Sequence, residues 1–185
     1  MDFLYKNWKI IRISGLFGAL SWILLTSLLM PVEAQNLNAA PMSGFFAPDF
    51  SVESLDGEIF QLSQYLGKVV ILNLWASWCP PCRSEMPAIQ AVYDEYKSQG
   101  LTVLAVNMTD QDRIENVQEF VLEQKLTFPI LLDTDGSIGE LYNSQALPTT
   151  FFINPEGKID EVIIGGPMSE GLLISKVTSL LEESR

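Results

Sequence analysis

The feature that most constrains this chain is a pair of cysteines placed directly after a strongly apolar segment. Cys79 and Cys82 are the only two cysteines, and Pro80 and Pro81 separate them. Residues 68–75, KVVILNLW, come just before as an almost continuous run of apolar residues. Such a run is typical of a central strand buried on both faces. An amphipathic helical pattern follows, so the pair is predicted to lie where a buried strand meets the start of a helix.

This position favours thiol–disulfide chemistry. A helix N-terminus carries unpaired N–H groups and the positive end of the helix dipole, which favour a thiolate over a thiol. The thiolate is the attacking species in disulfide exchange. We therefore expect Cys79 to be the exposed nucleophile and Cys82, one turn into the helix, to be the buried resolving cysteine. Pro80 and Pro81 suit the first helical turn and stiffen the ring between the cysteines.

Two other interpretations of the cysteine pair are weaker. Half of a zinc site would need further ligands, but the chain has no histidine and no other cysteine. An inert structural disulfide would close only a four-residue ring, which removes little chain entropy. The lack of histidine also excludes serine–histidine and cysteine–histidine catalysis. A net charge of −12 argues against nucleic acid as a partner, because nucleic-acid binding needs a basic surface.

The N-terminal segment predicts export. Residues 1–12 carry three bases and one acid, and residues 13–32 carry no charge. A 20-residue helix would be ~30 Å long, the thickness of a bilayer's hydrocarbon core. The favoured interpretation is an uncleaved signal anchor in a bacterial cell membrane, with the basic end inside and the following domain outside. The alternatives are a signal peptide cleaved after Ala34, giving a secreted or periplasmic protein, and a buried core helix.

The rest of the chain predicts one folded domain behind a short linker. Residues 35–44, QNLNAAPMSG, are polar, small and interrupted by proline and glycine, which is typical of a linker. Residues 45–185 are assigned to a single domain. From residue 35 onward the chain carries 21 acids and 8 bases, a net charge of −13. This acidic surface is expected to be mainly a solvated face.

Hydrophobic periodicity predicts alternating strands and helices after an N-terminal hairpin. The predicted strands span residues 47–53, 58–62, 68–75, 101–107, 128–132, 149–153 and 158–164. The predicted helices span residues 88–98, extending the one that begins at the cysteines, 112–125, 138–142 and 169–183. Asp112 is the expected N-cap of the second of these. The order implies a mixed central sheet with helices on both faces, a three-layer α/β/α sandwich.

Several motifs together resemble the thioredoxin superfamily. More narrowly, the chain resembles the membrane-anchored TlpA/ResA type of thiol-disulfide oxidoreductase, with its redoxin or AhpC/TSA-like domain. The resemblance covers residues 45–183. The motifs that carry it are APDF at 47–50, WASWCPPC at 75–82, the Glu85-Met86-Pro87 segment, LPT at 147–149 and NPEG at 154–157.

The resemblance implies roles for further residues. Pro148 matches a cis-proline that lies opposite the cysteine pair and offers backbone to an extended substrate. Leu147, Trp78, Pro80 and Pro81 would complete the substrate-binding surface. No cofactor is implied beyond the redox-active disulfide between the two cysteines.

Glu85 is the expected proton-handling residue. It lies three residues after Cys82, on roughly the same helical face, so a carboxyl there can exchange protons with the thiols. Its alternative is an ordinary surface acid in the first turns of a helix. Asn73 supports the first interpretation. It lies six residues before Cys79, where simple thioredoxins carry a buried acid that transfers a proton. Because the amide of Asn73 cannot do this, Glu85 is the better candidate.

The implied activity is reduction of disulfides in exported proteins, as in relatives that serve cytochrome c maturation. The substrate could then be apocytochrome c, and a membrane thiol–disulfide partner would supply electrons. The Pro-Pro dipeptide departs from the Gly-Pro and Pro-His of relatives, and lack of a histidine there favours a reductant.

Two other functions are open. A thiol peroxidase of the peroxiredoxin kind shares the APDF segment but wants Thr or Ser where this chain has Ala76. A non-catalytic copper chaperone of the same fold would use a CxxxC spacing and a histidine. Separately, Asp133-Thr134-Asp135-Gly136 is predicted to be a turn rather than a calcium loop, because its spacing does not fit.

Overall fold

A five-stranded mixed sheet forms the centre of the structure, a computed structural model that describes residues 38–183. The strand order across the sheet is β5-β4-β3-β6-β7. A separate two-stranded sheet pairs β1 with β2. The strands are β1 Ser51–Glu53, β2 Ile59–Gln61, β3 Val69–Trp75, β4 Leu101–Asn107, β5 Ile130–Leu132, β6 Thr149–Ile153 and β7 Ile159–Ile164.

Pairing directions follow the predicted order of elements. The strands β3, β4 and β5 are parallel to one another, and β6 runs antiparallel to both β3 and β7. The first hairpin was predicted correctly, although its two strands are shorter than expected. The predicted mixed sheet is therefore confirmed.

In the part of the chain that the structure describes, four α-helices connect and cover the strands: α1 Pro80–Tyr96, α2 Ile114–Gln124, α3 Ser137–Leu141 and α4 Glu170–Glu183. Buried residues of α1, α2 and α4 share one apolar cluster with one face of the sheet. The other face is covered differently from the prediction. There the short helix α3 supplies Ile138, while residues before β3, including Phe50 and Leu62, supply the rest of the cover.

The central strand β3 contributes to both clusters because side chains alternate between the faces of a sheet. Val69 and Ile71 pack in the cluster with the three longer helices, and Val70 and Leu72 pack in the other. Burying each such side chain stabilises the fold by roughly 1.5–3 kcal/mol. Asn73 has the same parity as Ile71, so this one polar residue of β3 is directed to the face that α1 covers.

Two local predictions need correction or qualification. Asp112 is not the N-cap of α2; Arg113 occupies that position and makes no capping bond with its side chain. Residues 38–44, which fall within the predicted linker, contact the domain. The N–H of Gly44 donates to the carbonyl of Ile159 at 2.8 Å, and Ala39 forms a bridge with Phe46.

The predicted membrane span, residues 13–32, lies outside the described residues, as does the cleavage position after Ala34. Within residues 38–183, no helix combines the length and apolar character that crossing a bilayer requires.

Candidate active site

The two cysteines are joined by a disulfide at the start of α1. Their Cα atoms are 5.3 Å apart, and Cys79 is the N-cap of the helix. The N–H of Cys82 donates to Sγ of Cys79 at 3.3 Å, so a helix-terminal donor points at this sulfur. A thiolate on Cys79 would meet the same donor and the positive end of the helix dipole. Pro80 and Pro81 form the first helical turn, as predicted.

One expectation about the pair is wrong for this disulfide state. Cys82 is fully buried as predicted, but Cys79 is only 3% exposed rather than an exposed nucleophile. Its side chain belongs to the apolar cluster beneath α1. Sequence spacing placed Cys79 at a helix end but could not show that its side chain packs in this cluster.

An open groove of about 330 Å³ gives access to Cys79. The groove is lined by Trp78, Cys79 and the two prolines, by Met108 and Gln111, and by residues 144–147. Leu147 and Cys79 therefore line the same groove. The Leu147–Pro148 peptide bond is cis. The structure thus brings Trp78, Pro80, Pro81 and Leu147 together in one groove, and Pro148 follows Leu147 in the chain without lining the groove itself.

Glu85 lies on α1 but is fully buried rather than a surface acid. Its Oε1 accepts a hydrogen bond of 2.9 Å from the side-chain amide of Asn73, and its Oε2 accepts one of 3.2 Å from the N–H of Met168. Burial raises the pKa of the Glu85 carboxyl above its ordinary value, while the bonds from Met168 and Asn73 lower it part of the way back. A buried carboxyl with a raised pKa can hold a proton at a higher pH than an ordinary surface carboxyl does.

Asn73 ties Glu85 to the sheet. The same amide nitrogen also donates to the hydroxyl of Thr150 at 2.8 Å, across the β3–β6 pair in which the two residues are register partners. Its carbonyl oxygen is buried without a hydrogen-bond partner among the described residues. The sequence indicated only that Asn73 cannot transfer a proton. The structure shows in addition that Asn73 donates a hydrogen bond to Glu85.

Sequence reasoning missed the segment that closes this site from the other side. A Cβ built on Gly166 would lie 2.8 Å from Oε2 of Glu85 and 2.9 Å from Cγ of Pro148. Gly166 therefore lets three chain segments meet: α1, the start of β6 and the turn before α4. The sequence did offer a signal for this segment, a glycine pair followed by proline at 165–167. Glycine commonly occurs where the backbone must approach another group closely.

A second network, also missed, holds the loop before Cys79. The Asp112 carboxylate accepts bonds from the N–H and hydroxyl of Ser77, both at 2.6 Å, and from the amide of Asn107 at 2.9 Å. The indole N–H of Trp78 donates to the carbonyl of Gln111 at 2.9 Å, so the ring stays anchored although it is 54% exposed. Partial burial raises the pKa of Asp112. The hydrogen bonds that its carboxylate accepts from Asn107 and Ser77 outweigh this effect, so the pKa is lowered overall.

Asp133 begins a turn, as the sequence predicted. Its two carboxylate oxygens accept bonds from the N–H groups of Ile138 and Gly139 and so satisfy donors at the start of α3. In the described part of the chain, no three or more His, Cys, Asp or Glu side chains are grouped to hold a metal ion.

Comparisons with known proteins agree with this geometry. Residues 44–162 match the AhpC/TSA family. The chain is 41% identical over 126 residues to the thiol-disulfide oxidoreductase ResA of Oceanobacillus iheyensis, an alignment that covers 66% of this chain and 65% of that protein. It is also 41% identical over 130 residues to ResA of Bacillus subtilis, covering 70% of this chain and 71% of that one.

Solved structures show the same relationship. The crystal structure of a putative thiol:disulfide interchange protein DsbE from Chlorobium tepidum superposes with a TM-score of 0.69 and 30% identity. The match covers 77% of this chain and 99% of that chain. The family match spans more than half of the sequence, and the matched residues include Cys79 and Cys82. The chain therefore belongs to the AhpC/TSA family and is a thioredoxin-like enzyme of the thiol-disulfide oxidoreductase class.

Proposed function

We propose that this enzyme is an extracytoplasmic reductant of disulfides in exported proteins. The observation that carries the proposal is the Cys79–Cys82 disulfide at the N-terminus of α1, together with a groove that both Cys79 and Leu147 line. A polypeptide in the groove can bring its own disulfide to Cys79. Relatives named thiol-disulfide oxidoreductase support the same reaction class.

The reaction begins from the dithiol form. The Cys79 thiolate attacks one sulfur of the substrate disulfide, which forms a mixed disulfide and releases the other substrate sulfur as a thiolate. The Cys82 thiolate then attacks Sγ of Cys79, which re-forms the Cys79–Cys82 disulfide and releases the second substrate thiolate. Two electrons pass from the enzyme to the substrate. A dithiol partner must return two electrons to the enzyme before the next cycle.

Glu85 is the proposed site of proton handling. The second step needs Cys82 to lose its proton, but Cys82 is fully buried beneath the helix end. Glu85 follows Cys82 by three residues and so lies on the same side of α1. Its raised pKa lets the carboxylate take up a proton that an ordinary surface carboxylate would not hold. Pro148 and Leu147 are proposed to align the substrate backbone.

The cellular setting is proposed from the N-terminal charge pattern. Residues 1–34 would anchor the protein by a single span in a bacterial cell membrane, residues 35–44 would link it, and residues 45–185 would act outside the cytoplasm. The substrates would be exported proteins, with apocytochrome c as one candidate. A membrane thiol–disulfide protein would be the electron donor. No cofactor other than the disulfide is needed for these steps.

A reduction assay tests the proposal. The full chain is first reduced and freed of reductant, then mixed with a protein that contains an accessible disulfide. The proposal expects one substrate disulfide to be lost for each Cys79–Cys82 disulfide formed. Cys79→Ser should show no reduction. Equal activity of Cys79→Ser and the wild type would contradict the proposed nucleophile.

The same preparations separate the two other functions. Catalytic consumption of hydrogen peroxide by the wild type, without reduction of protein disulfides, would favour the peroxidase. Loss of thiol reactivity when copper is added in stoichiometric amount would favour the metal chaperone. Ala76, three residues before Cys79, supplies no hydroxyl for peroxide chemistry.

A further inference from the structure

Met108 lines the groove that contains Cys79, although its side chain is only 4% exposed. It also lines a second space of about 450 Å³, which Gly139 of α3 lines as well. The rest of the side chain packs in the apolar cluster that includes Ile138. Methionine is unbranched and has three rotatable side-chain bonds, so its terminal methyl group can occupy different positions. Movement of that methyl group alone would change the shape of the Cys79 groove.

The main chain at Met108 is held on both sides. Its N–H donates to the carbonyl of Trp75 at 2.9 Å, and its carbonyl accepts a 3.0 Å bond from the N–H of Gln111. Trp75 is the last residue of β3, and Gln111 itself lines the Cys79 groove. The point at which the Met108 side chain leaves the backbone is therefore fixed relative to the groove.

The methyl group of Met108 packs on Gly139. A Cβ built on Gly139 would overlap with Cε of Met108 and would lie 3.6 Å from its Sδ. The backbone of Gly139 is also fixed, because its N–H donates to the buried carboxylate of Asp133 at 2.8 Å and its carbonyl accepts a 2.9 Å bond from the N–H of Ser144. The missing side chain of Gly139 thus provides the space that the end of Met108 occupies.

We propose that Met108 is a specificity-determining residue that selects substrates by the size of the side chain beside the cysteine that Cys79 attacks, and that Gly139 sets this selection by giving Met108 room outside the groove. The inference rests on the proposed function and names which substrate side chains fit. A substrate that brings its disulfide to Cys79 places the neighbouring side chain in this groove. Trp78 and the two prolines of the lining are rigid rings, whereas Met108 can move.

Two substitutions should change the width of the groove in opposite directions. Met108→Ala removes the thioether and widens it. Gly139→Ala displaces the methyl group of Met108. Because Gly139 lines the other space that Met108 borders, the Cys79 groove is the open direction away from the added group. In the double variant no thioether remains to be displaced, so the groove should be wide again and the two effects should not add.

The test uses disulfide-linked peptides that differ at one position beside the cysteine, with glycine, leucine or tryptophan there. Single-turnover rates are measured with the reduced full chain, both single variants and the double variant. Each rate is divided by the rate of the same variant with bis(2-hydroxyethyl) disulfide, which removes any change in cysteine reactivity common to all substrates. Gly171→Ala is the matched control, because nothing lies within 4 Å of its built Cβ.

We expect Met108→Ala to raise the relative rate of the tryptophan peptide at least about fourfold, the effect of burying one further methylene group. Gly139→Ala should lower the relative rates of the leucine and tryptophan peptides by about the same factor and should not change that of the glycine peptide. The double variant should resemble Met108→Ala, and Gly171→Ala should resemble the wild type.

An unchanged ratio of the tryptophan rate to the glycine rate in Met108→Ala would overturn the inference, and it decides the matter even if Gly139→Ala does not fold. An effect of Gly139→Ala that persists in the double variant would also overturn it, because the effect would then not act through Met108. In both cases an active wild type leaves the proposed function standing. Failure of the wild type to reduce even the small disulfide would contradict the proposed function itself, and this inference with it.

Discussion

Asn73 donates a 2.9 Å hydrogen bond to Oε1 of Glu85 in the interior of the domain. The donor belongs to the central strand β3 and the acceptor to the helix that begins at the cysteines. Because the N–H of Met168 holds the other carboxylate oxygen, Glu85 is fixed from two sides by parts of the chain far apart in sequence. The proton affinity of this carboxyl is therefore a property of the folded domain.

Glu85→Gln should change how stability depends on pH. A carboxyl with a raised folded-state pKa binds its proton more tightly when folded, so stability falls as pH rises from the ordinary value of 4.5 through the folded pKa, and is level above it. Glutamine cannot ionise, so the variant should lack this fall. The measurement is urea unfolding of both proteins between about pH 4 and pH 8.

The control for this comparison is Glu182→Gln, an exposed position on α4. It should retain the wild-type profile. Identical pH profiles of stability for Glu85→Gln and the wild type would contradict the assignment of a raised pKa to Glu85.

Asp112→Ala should destabilise the domain by about 1–3 kcal/mol, because it leaves the N–H of Ser77 and the amide of Asn107 without their acceptor. Its contribution should also depend on pH. The pKa of Asp112 is lowered in the fold, so its stabilisation is present above the ordinary value of 3.8 and is lost as pH falls through the folded pKa. Denaturant unfolding at neutral and acidic pH measures both effects.

Asp94→Ala is the matched control, since Asp94 is an exposed carboxylate paired with Lys97. Little loss of stability is expected there. If Asp112→Ala cost no more than Asp94→Ala, the network around Ser77 would not anchor the loop before the cysteines.

Gly166→Ala should disturb the site directly. Its new methyl group would press on Oε2 of Glu85 and on the ring of Pro148, both closer than 3.0 Å to the added carbon. We expect a loss of about 1–3 kcal/mol in stability, together with slower disulfide reduction. Thermal unfolding and the reduction assay provide the two readouts.

Gly171→Ala provides the comparison, because nothing lies within 4 Å of its built Cβ and the residue is in α4. This change should stabilise the domain by about 0.5–1 kcal/mol through helix propensity. Equal effects of the two substitutions would argue against close packing at Gly166.

The sequence predicts elements best where local pattern and burial agree. The strands at 101–107 and 149–153 match prediction residue for residue, because continuous apolar runs bounded by turn residues specify buried strands. The position of the cysteines at a helix start was also predictable from local signals. In each of these cases, the residues that determine the structure are neighbours in sequence.

The misses all depend on contacts between distant segments. Asp112 is a residue type that often caps helices, but its carboxylate accepts a hydrogen bond from Ser77, 35 residues earlier, instead. Glu85 resembles a surface acid until Met168, 83 residues later, is folded against it. Cys79 likewise is buried in an apolar cluster whose members come from segments far apart in the sequence, among them α2 and α4. Periodicity carries no information about such partners.

Trapping of a covalent intermediate tests the central claim most directly. In Cys82→Ser the mixed disulfide cannot be resolved, because the second thiolate is missing. The variant should accumulate substrate linked through Cys79, visible by non-reducing electrophoresis and mass spectrometry and released by a small thiol. Cys79→Ser should accumulate no such adduct. The protein captured by Cys82→Ser would identify the substrate. Adducts through Cys82 in the Cys79→Ser variant, with none through Cys79 in Cys82→Ser, would contradict the account.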